Sequence, residues 1–227
     1  MAQPLDSTVL DQLFLKARSH NAWLDRDVSD DQLQHLYALL RQGPTSNNCC
    51  PARFVFVRSA EAKQRLLPEL KGHNGEKMLQ APVTVIVAYD SRFFERLPQL
   101  FPIYDAAASY RANPQAAQTA ALRNGSLQGA YLILAARALG LDCGPMSGFD
   151  NAQVDTAFFA DGHWKSNFLC CLGYGDAAGL RPVGPRLGFR RPAGSYERFG
   201  KIAPISSAFI CGQNLNVDAG STGGDGY

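Results

Sequence analysis

Apolar residues recur along this chain at two spacings in alternation, one of three to four residues and one of two. Leu10, Leu13, Phe14 and Ala17 follow the first and predict a helix reaching Arg18. Leu33, Leu36, Tyr37 and Leu40 form the stripe of a second helix, opened by a capping box at Ser29 and Gln32 and closed at Gly43-Pro44. Residues 53–58 (RFVFVR) and 83–89 (VTVIVAY) are β-branched and aromatic and predict strands, the latter apolar enough for the middle of a sheet. Between them Ser59 can cap one short helix, and residues 75–81 suit another. Periodicity fades from 93 to 114, where aromatics with Pro98 and Pro102 predict an excursion over a pocket. A long helix over 115–139 follows, apolar nearly all round after Leu127, hence buried deeply or against a partner subunit, with Asn124, Ser126 and Gln128 as polar interruptions. A Gly-Pro stretch at 144–148, a helix at 153–159 and a strand at 167–173 complete the pattern, which predicts an α/β or α+β domain.

Composition narrows the function. Of 227 residues 46% are hydrophobic, as in an ordinary globular chain, and the net charge of +2 is too small for gripping a nucleic-acid backbone. The longest apolar run, 130–141, carries Arg137 and falls short of the roughly 20 residues a bilayer span needs. Met1 to Asp6 shows neither a positive nor an apolar leader region, so a cytoplasmic location is expected. The six cysteines include vicinal pairs at 49–50 and 170–171 but no C-x-x-C, and they read as reduced thiols; a redox role for Cys49-Cys50 is the alternative. After residue 189 glycine rises to seven in 38 residues, against 14 in the first 189, and a partly disordered tail over 190–227 is expected. Ser206 to Asp218 resembles the end of short-chain dehydrogenases, but the Gly-rich fingerprint of that family is missing, so the tail reads as a fusion or frameshift remnant.

Three clusters offer what a phosphorylated planar cofactor requires. Arg18-Ser19-His20 places a cation and a hydroxyl at a helix end, suited to a phosphate. Pro44-Thr45-Ser46-Asn47-Asn48 is a turn of small hydrogen-bonding side chains before a strand, and equally an ordinary capped loop. Asn74 and Lys77 stand one helical turn apart and could reach one ligand, or simply face solvent.

In this order and spacing the clusters resemble the FMN-dependent nitroreductase family, from about Leu10 to Phe189. Pro44-Thr45-Ser46-x-Asn48-Cys49, Leu97-Pro98-x-Leu100-Phe101-Pro102, Gly144-Pro145-Met146-Ser147-Gly148-Phe149-Asp150 and Gly173-Tyr174-Gly175-Asp176 are similar to its malonic semialdehyde reductase subgroup, which serves uracil degradation. The resemblance implies a three-layer α/β/α sandwich, α+β in class, with a central, mostly antiparallel sheet in an intertwined homodimer. It implies that residues 1–189 bind FMN and that NADPH or NADH is the co-substrate. Arg18, Ser19, Lys77 and Arg186 would contact the phosphate or the pyrimidine edge, with His20 beside them, and Asn74 the ring edge. Pro44, Thr45, Ser46 and Asn48 would line the ring from the partner subunit. Ser147 and Gly148 would form a turn whose backbone N–H points at flavin N5, with Pro145 and Met146 also among the cofactor-binding residues. Ala17, Asn21, Cys50 and Gly184 depart from the wider pattern, the first two and Gly184 where cations are common and Cys50 where glutamine is common. No side chain is assigned as a catalytic acid or nucleophile, with His20 and Tyr104 as candidate proton donors. The expected reaction is hydride transfer from NAD(P)H to malonic semialdehyde, giving 3-hydroxypropionate. The alternatives are a broad nitroreductase or quinone reductase and a non-catalytic flavin binder.

Overall fold

Asp6 opens the first helix by accepting the amide of Thr8 at 2.8 Å, and α1 (Ser7–Leu10) widens at once into a π-helical turn over Asp11–Leu15. The helix stops there rather than at Arg18. The backbone beyond it finds another partner: Ser19 forms a parallel bridge with Cys143, and the His20 amide donates to the Cys143 carbonyl at 2.9 Å. The structure, a computed structural model, describes residues 3–186, 209–210 and 213–214. It divides into units Met1–Leu180 and Arg181–Tyr227. In the second, Phe209–Ile210 pairs with Gln213–Asn214, while most of the Gly-rich tail and its expected boundary at 189 lie outside the described residues.

The first unit is built on four strands. β1 (Ala52–Val57), β2 (Val83–Asp90), β3 (Asp142–Met146) and β4 (Trp164–Gly173) lie in the order β1-β2-β4-β3, each pair antiparallel, with Val55 opposite Ile86 and Ile86 opposite Leu169. β2 is central, as its continuous apolar run predicts, and all but its last residue are buried. Val83, Val85 and Val87 face one core with Leu33, Leu36 and Leu40 of α2 (Asp30–Leu40) and with Leu132, Ala135 and Ala136 of α7 (Pro114–Ala138). Ile86 and Ala88 face a second core with Leu66 of α3 (Ala60–Leu66), Met78 of α4 (Asn74–Gln80) and Val154 of α8 (Asn151–Phe158). Cys170 and Cys171 fall on opposite faces of β4 and are both buried, because each face has its own helical layer.

The Ser29 capping box forms both of its bonds, at 3.0 and 3.2 Å, and Ser59 caps α3. Tyr37, expected in the apolar stripe of α2, is exposed instead. The stretch at 144–148, read as a Gly-Pro connection, is largely strand. β3 lies at the sheet's edge, where Pro145 has no second neighbour requiring its missing N–H. β4 begins at Trp164, three residues ahead of the expected start at 167. The excursion after β2 is not irregular: a 3₁₀ turn, α5 (Leu97–Leu100) and α6 (Ala107–Ala112) pack Phe93, Leu97, Ala106 and Ala107 with Cys49, Tyr89, Ala117 and Ala121 as a third cluster. α7 is not apolar-buried all round, since Leu127 and Tyr131 are exposed on this chain.

Candidate flavin site

The edge strand β3 gathers one group of the predicted residues. Arg18, Ser19 and His20 run beside its start, and farther along Leu24 donates to the carbonyl of Tyr174, just past β4, at 2.8 Å. At its other end α4 brings two polar side chains in. Lys77 is 7% exposed with Nζ 3.5 Å from the Pro145 carbonyl, and Asn74 Nδ2 donates to the Gly148 carbonyl at 2.9 Å. That carbonyl also accepts the Lys71 amide at 2.9 Å, so the 147–148 turn is held from two sides.

Two glycines make this approach possible. A Cβ on Gly144 would come within 2.5 Å of the His20 carbonyl and 2.6 Å of Lys77 Cε, and one on Gly148 within 2.6 Å of Asn74 Nδ2. The cradle therefore contains a buried ammonium, an amide, a half-buried guanidinium at Arg18 and the exposed hydroxyls of Ser19 and Ser147. Cations and amide donors of this kind suit a phosphate and the carbonyl edge of a heterocycle.

His20 lies beneath the cradle and is buried. Its Nδ1 is 3.4 Å from Asp142 Oδ1 without the alignment of a hydrogen bond, and Asp142 Oδ2 accepts the Gly175 amide at 2.9 Å. Its ring centroid is 6.2 Å from that of Trp23. The imidazole thus supports the 18–20 segment from below. Under Lys77, burial pushes the Cys171 thiol up, with the Lys77 and Lys63 charges opposing.

The second group, Pro44, Thr45, Ser46 and Asn48, is anchored elsewhere. Asn124 Oδ1 on α7 accepts the Ser46 amide at 2.9 Å, and Gln128 Oε1, one turn on, accepts the Ala52 amide at 2.9 Å. Thr45 Oγ1 accepts the Cys50 amide at 3.1 Å, and Asn48 Nδ2 donates to the Leu100 carbonyl at 3.0 Å. Asn47, Asn48 and Cys50 have φ of 51°, 50° and 40°. Asparagine tolerates this left-handed region locally, whereas cysteine is uncommon there and is held by its surroundings. Pro44, Ser46 and Asn48 are exposed; Cys49 is buried, and burial pushes its thiol up to about 11. Cys49 therefore lacks the thiolate character a nucleophilic thiol at neutral pH requires, and the five described cysteines are free thiols.

Arg186 belongs to the second unit, where its Nη1 donates to the carbonyls of Gly184 and Pro185 at 3.1 and 3.2 Å. Two clefts of about 550 and 330 Å³ flank the excursion. They are lined by residues such as Trp164, Arg96, Tyr89 and Tyr110, and by none of the residues expected to hold the cofactor. Sequence reasoning noticed Asn124 and Gln128 as interruptions of an apolar helix but missed their task. Two amides at i and i+4 on a buried face are the signature of a backbone clamp.

A four-stranded antiparallel sheet with helices on both faces and a polar cradle at one edge places the chain in the three-layer α+β class. The family model described as Nitroreductase family matches residues 15–174, and the chain belongs to that family. Two relatives bear the provisional name NADH dehydrogenase/NAD(P)H nitroreductase. One, from Ralstonia nicotianae, is 57% identical over 82% of this chain and 95% of its own length; the other, from Stutzerimonas stutzeri, is 60% identical over 84% and 97%. Among solved structures, a nitroreductase-type protein of Bacillus subtilis superposes with a TM-score of 0.73 at 20% identity, covering 81% of this chain and 96% of that one. One from Exiguobacterium sibiricum, solved in complex with FMN, gives 0.68 at 20% identity over 82% and 95%.

Proposed function

We propose that this chain is an FMN-dependent oxidoreductase that takes hydride from NAD(P)H and delivers it to a small acceptor at one site. The carrying observation is the approach of buried Lys77 and of Asn74 to the Pro145 and Gly148 carbonyls, beside the Ser19–Cys143 bridge, with glycine at 144 and 148 where a Cβ would collide. The donor set fits the cofactor, and the names of the relatives and of the FMN-bound neighbour point to the same pairing of ligands. When bound, FMN supplies the hydride chemistry.

The residues of the chain supply position and charge. Arg18 and Ser19 hold the phosphate; Lys77 and Asn74 hold the pyrimidine edge. The Ser147–Gly148 turn that follows Pro145 and Met146 of β3 would present a backbone N–H to N5, where charge develops. Pro44, Thr45, Ser46 and Asn48 cover the ring from the partner of a homodimer. The exposed apolar side chains Phe14, Leu15, Leu127 and Tyr131 and the separate anchoring of that loop support such an assembly. His20 positions the 18–20 segment, leaving water or Tyr104, which is exposed, to deliver the proton. The site lies in residues 1–189 of a cytoplasmic enzyme.

The acceptor we favour is malonic semialdehyde, reduced to 3-hydroxypropionate, on the subgroup motifs at 44–49 and 144–150. A broad nitro- or quinone-reducing activity is the second reading, favoured by the names of the relatives. The test is the visible spectrum of the purified chain followed by NADPH and NADH oxidation with malonic semialdehyde, a nitroaromatic and 1,4-benzoquinone. Bound FMN with a preference for the aldehyde supports the first reading, and preference for either other acceptor supports the second. A folded chain that stays colourless with added FMN removes both.

A further inference from the structure

The loop before β1 ends in a knot tied by one side chain. Arg53 turns back along its own chain, and its Nη1 donates to the carbonyls of Cys50 at 3.1 Å, Pro51 at 3.3 Å and Ala52 at 2.8 Å. Its Nη2 donates to Asp90 Oδ2 at 2.7 Å, the two side chains being 17% and 13% exposed, and the guanidinium carbon lies 5.7 Å from the Trp164 ring centroid. Asp90 is itself shared: Oδ1 accepts the Arg92 amide at 2.8 Å, where the excursion begins, and its own amide donates to Pro51 at 2.9 Å. One ion pair therefore holds the end of the loop and the start of the excursion. Asn48 ties the same two segments again through the Leu100 carbonyl.

A planar fork serving four acceptors is a task for arginine. Lysine offers one compact centre and cannot reproduce it. The positive φ at Cys50 turns the chain where these carbonyls are gathered, so without the fork they lose the one side chain that serves all three.

We propose that Arg53, held by Asp90, is a positioning residue that fixes the Pro44–Asn48 loop as a preformed wall for the acceptor. The inference rests on the proposed FMN site and names what shapes its acceptor side. A wall ordered during folding spares acceptor binding the entropy of ordering it. Arg18 and Ser19 beside β3 make no use of Arg53, so the anchoring of the phosphate is kept and the effect falls on the face of the ring that the loop covers, where the acceptor docks.

The experiment uses the full chain loaded with FMN, as wild type and as Arg53→Lys, Arg53→Met, Asp90→Asn and the Arg53→Met/Asp90→Asn double variant, with 1,4-benzoquinone as acceptor. Expected is an acceptor KM raised about tenfold in both Arg53 variants, with kcat and the FMN Kd within about threefold of wild type. The double variant is expected to be no worse than Arg53→Met, because the two residues act along one route. Arg53→Lys keeps the charge and serves if Arg53→Met does not fold. An acceptor KM within about twofold of wild type in folded Arg53→Lys overturns the inference. So does a parallel loss of kcat, KM, FMN affinity and melting temperature, the mark of a merely structural residue. A wild-type chain that binds no FMN fails the underlying reading and removes this inference with it, whereas a normal wild type beside an unaffected Arg53→Lys fails this inference alone.

Discussion

Lys77 shows how much of the cradle depends on single atoms. Its ammonium is buried against the β3 backbone, so a neutral replacement of similar length removes charge without opening a large hole. Lys77→Met is expected to weaken FMN binding by at least about tenfold while the melting temperature stays near wild type, read by fluorescence titration. Gly148→Ala is expected to act through sterics alone, pushing Asn74 off the turn and weakening FMN similarly. Cys49 makes a different prediction. Its folded-state value is raised to about 11, so the unfolded chain loses the thiol proton first. The stabilisation from burying the neutral thiol is fully present below about pH 9 and is lost as pH rises toward about 11, an effect on the order of 2 kcal/mol. Urea unfolding at pH 8 and pH 10.5 reads it, and Cys49→Ala should reduce the difference, the buried Cys170 and Cys171 thiols keeping the rest.

At the scale of elements, legibility followed local causes. Ser29 with Gln32, Ser59 and the run of β2 act through neighbours in sequence, and each element stands where its residues placed it. The first helix and β3 were misjudged for one shared reason. The His20 amide goes to the Cys143 carbonyl more than a hundred positions away, and residues 142–146 pair along β4, and nothing in either stretch alone announces such partners. The three site clusters were legible as residue types in order; the clamps on the loop were not, because Asn124, Gln128 and Arg53 act on backbone rather than on ligand. Asn124→Leu is therefore expected to leave α7 intact by circular dichroism yet free the Ser46 amide. Limited proteolysis should cut between α2 and β1 several-fold faster in this variant than in wild type.

For the whole molecule, the division of labour between cradle and loop can be tested by mixing. Chains with Lys77→Met and chains with Thr45→Trp should each be inactive. If loop and cradle meet across two subunits, co-refolding equal amounts yields heterodimers with one intact and one doubly damaged site, and about a quarter of wild-type activity returns. No recovery would place both elements in one subunit's site. A chain ending after residue 189 is expected to keep FMN binding and turnover, which would leave the Gly-rich tail outside the chemistry. Sandwiched between two helical layers, β2 is buried from Val83 to Tyr89. Its amides should be the last to take up deuterium, exchanging only when the entire fold opens, so their protection factors would read the global unfolding free energy from a single strand.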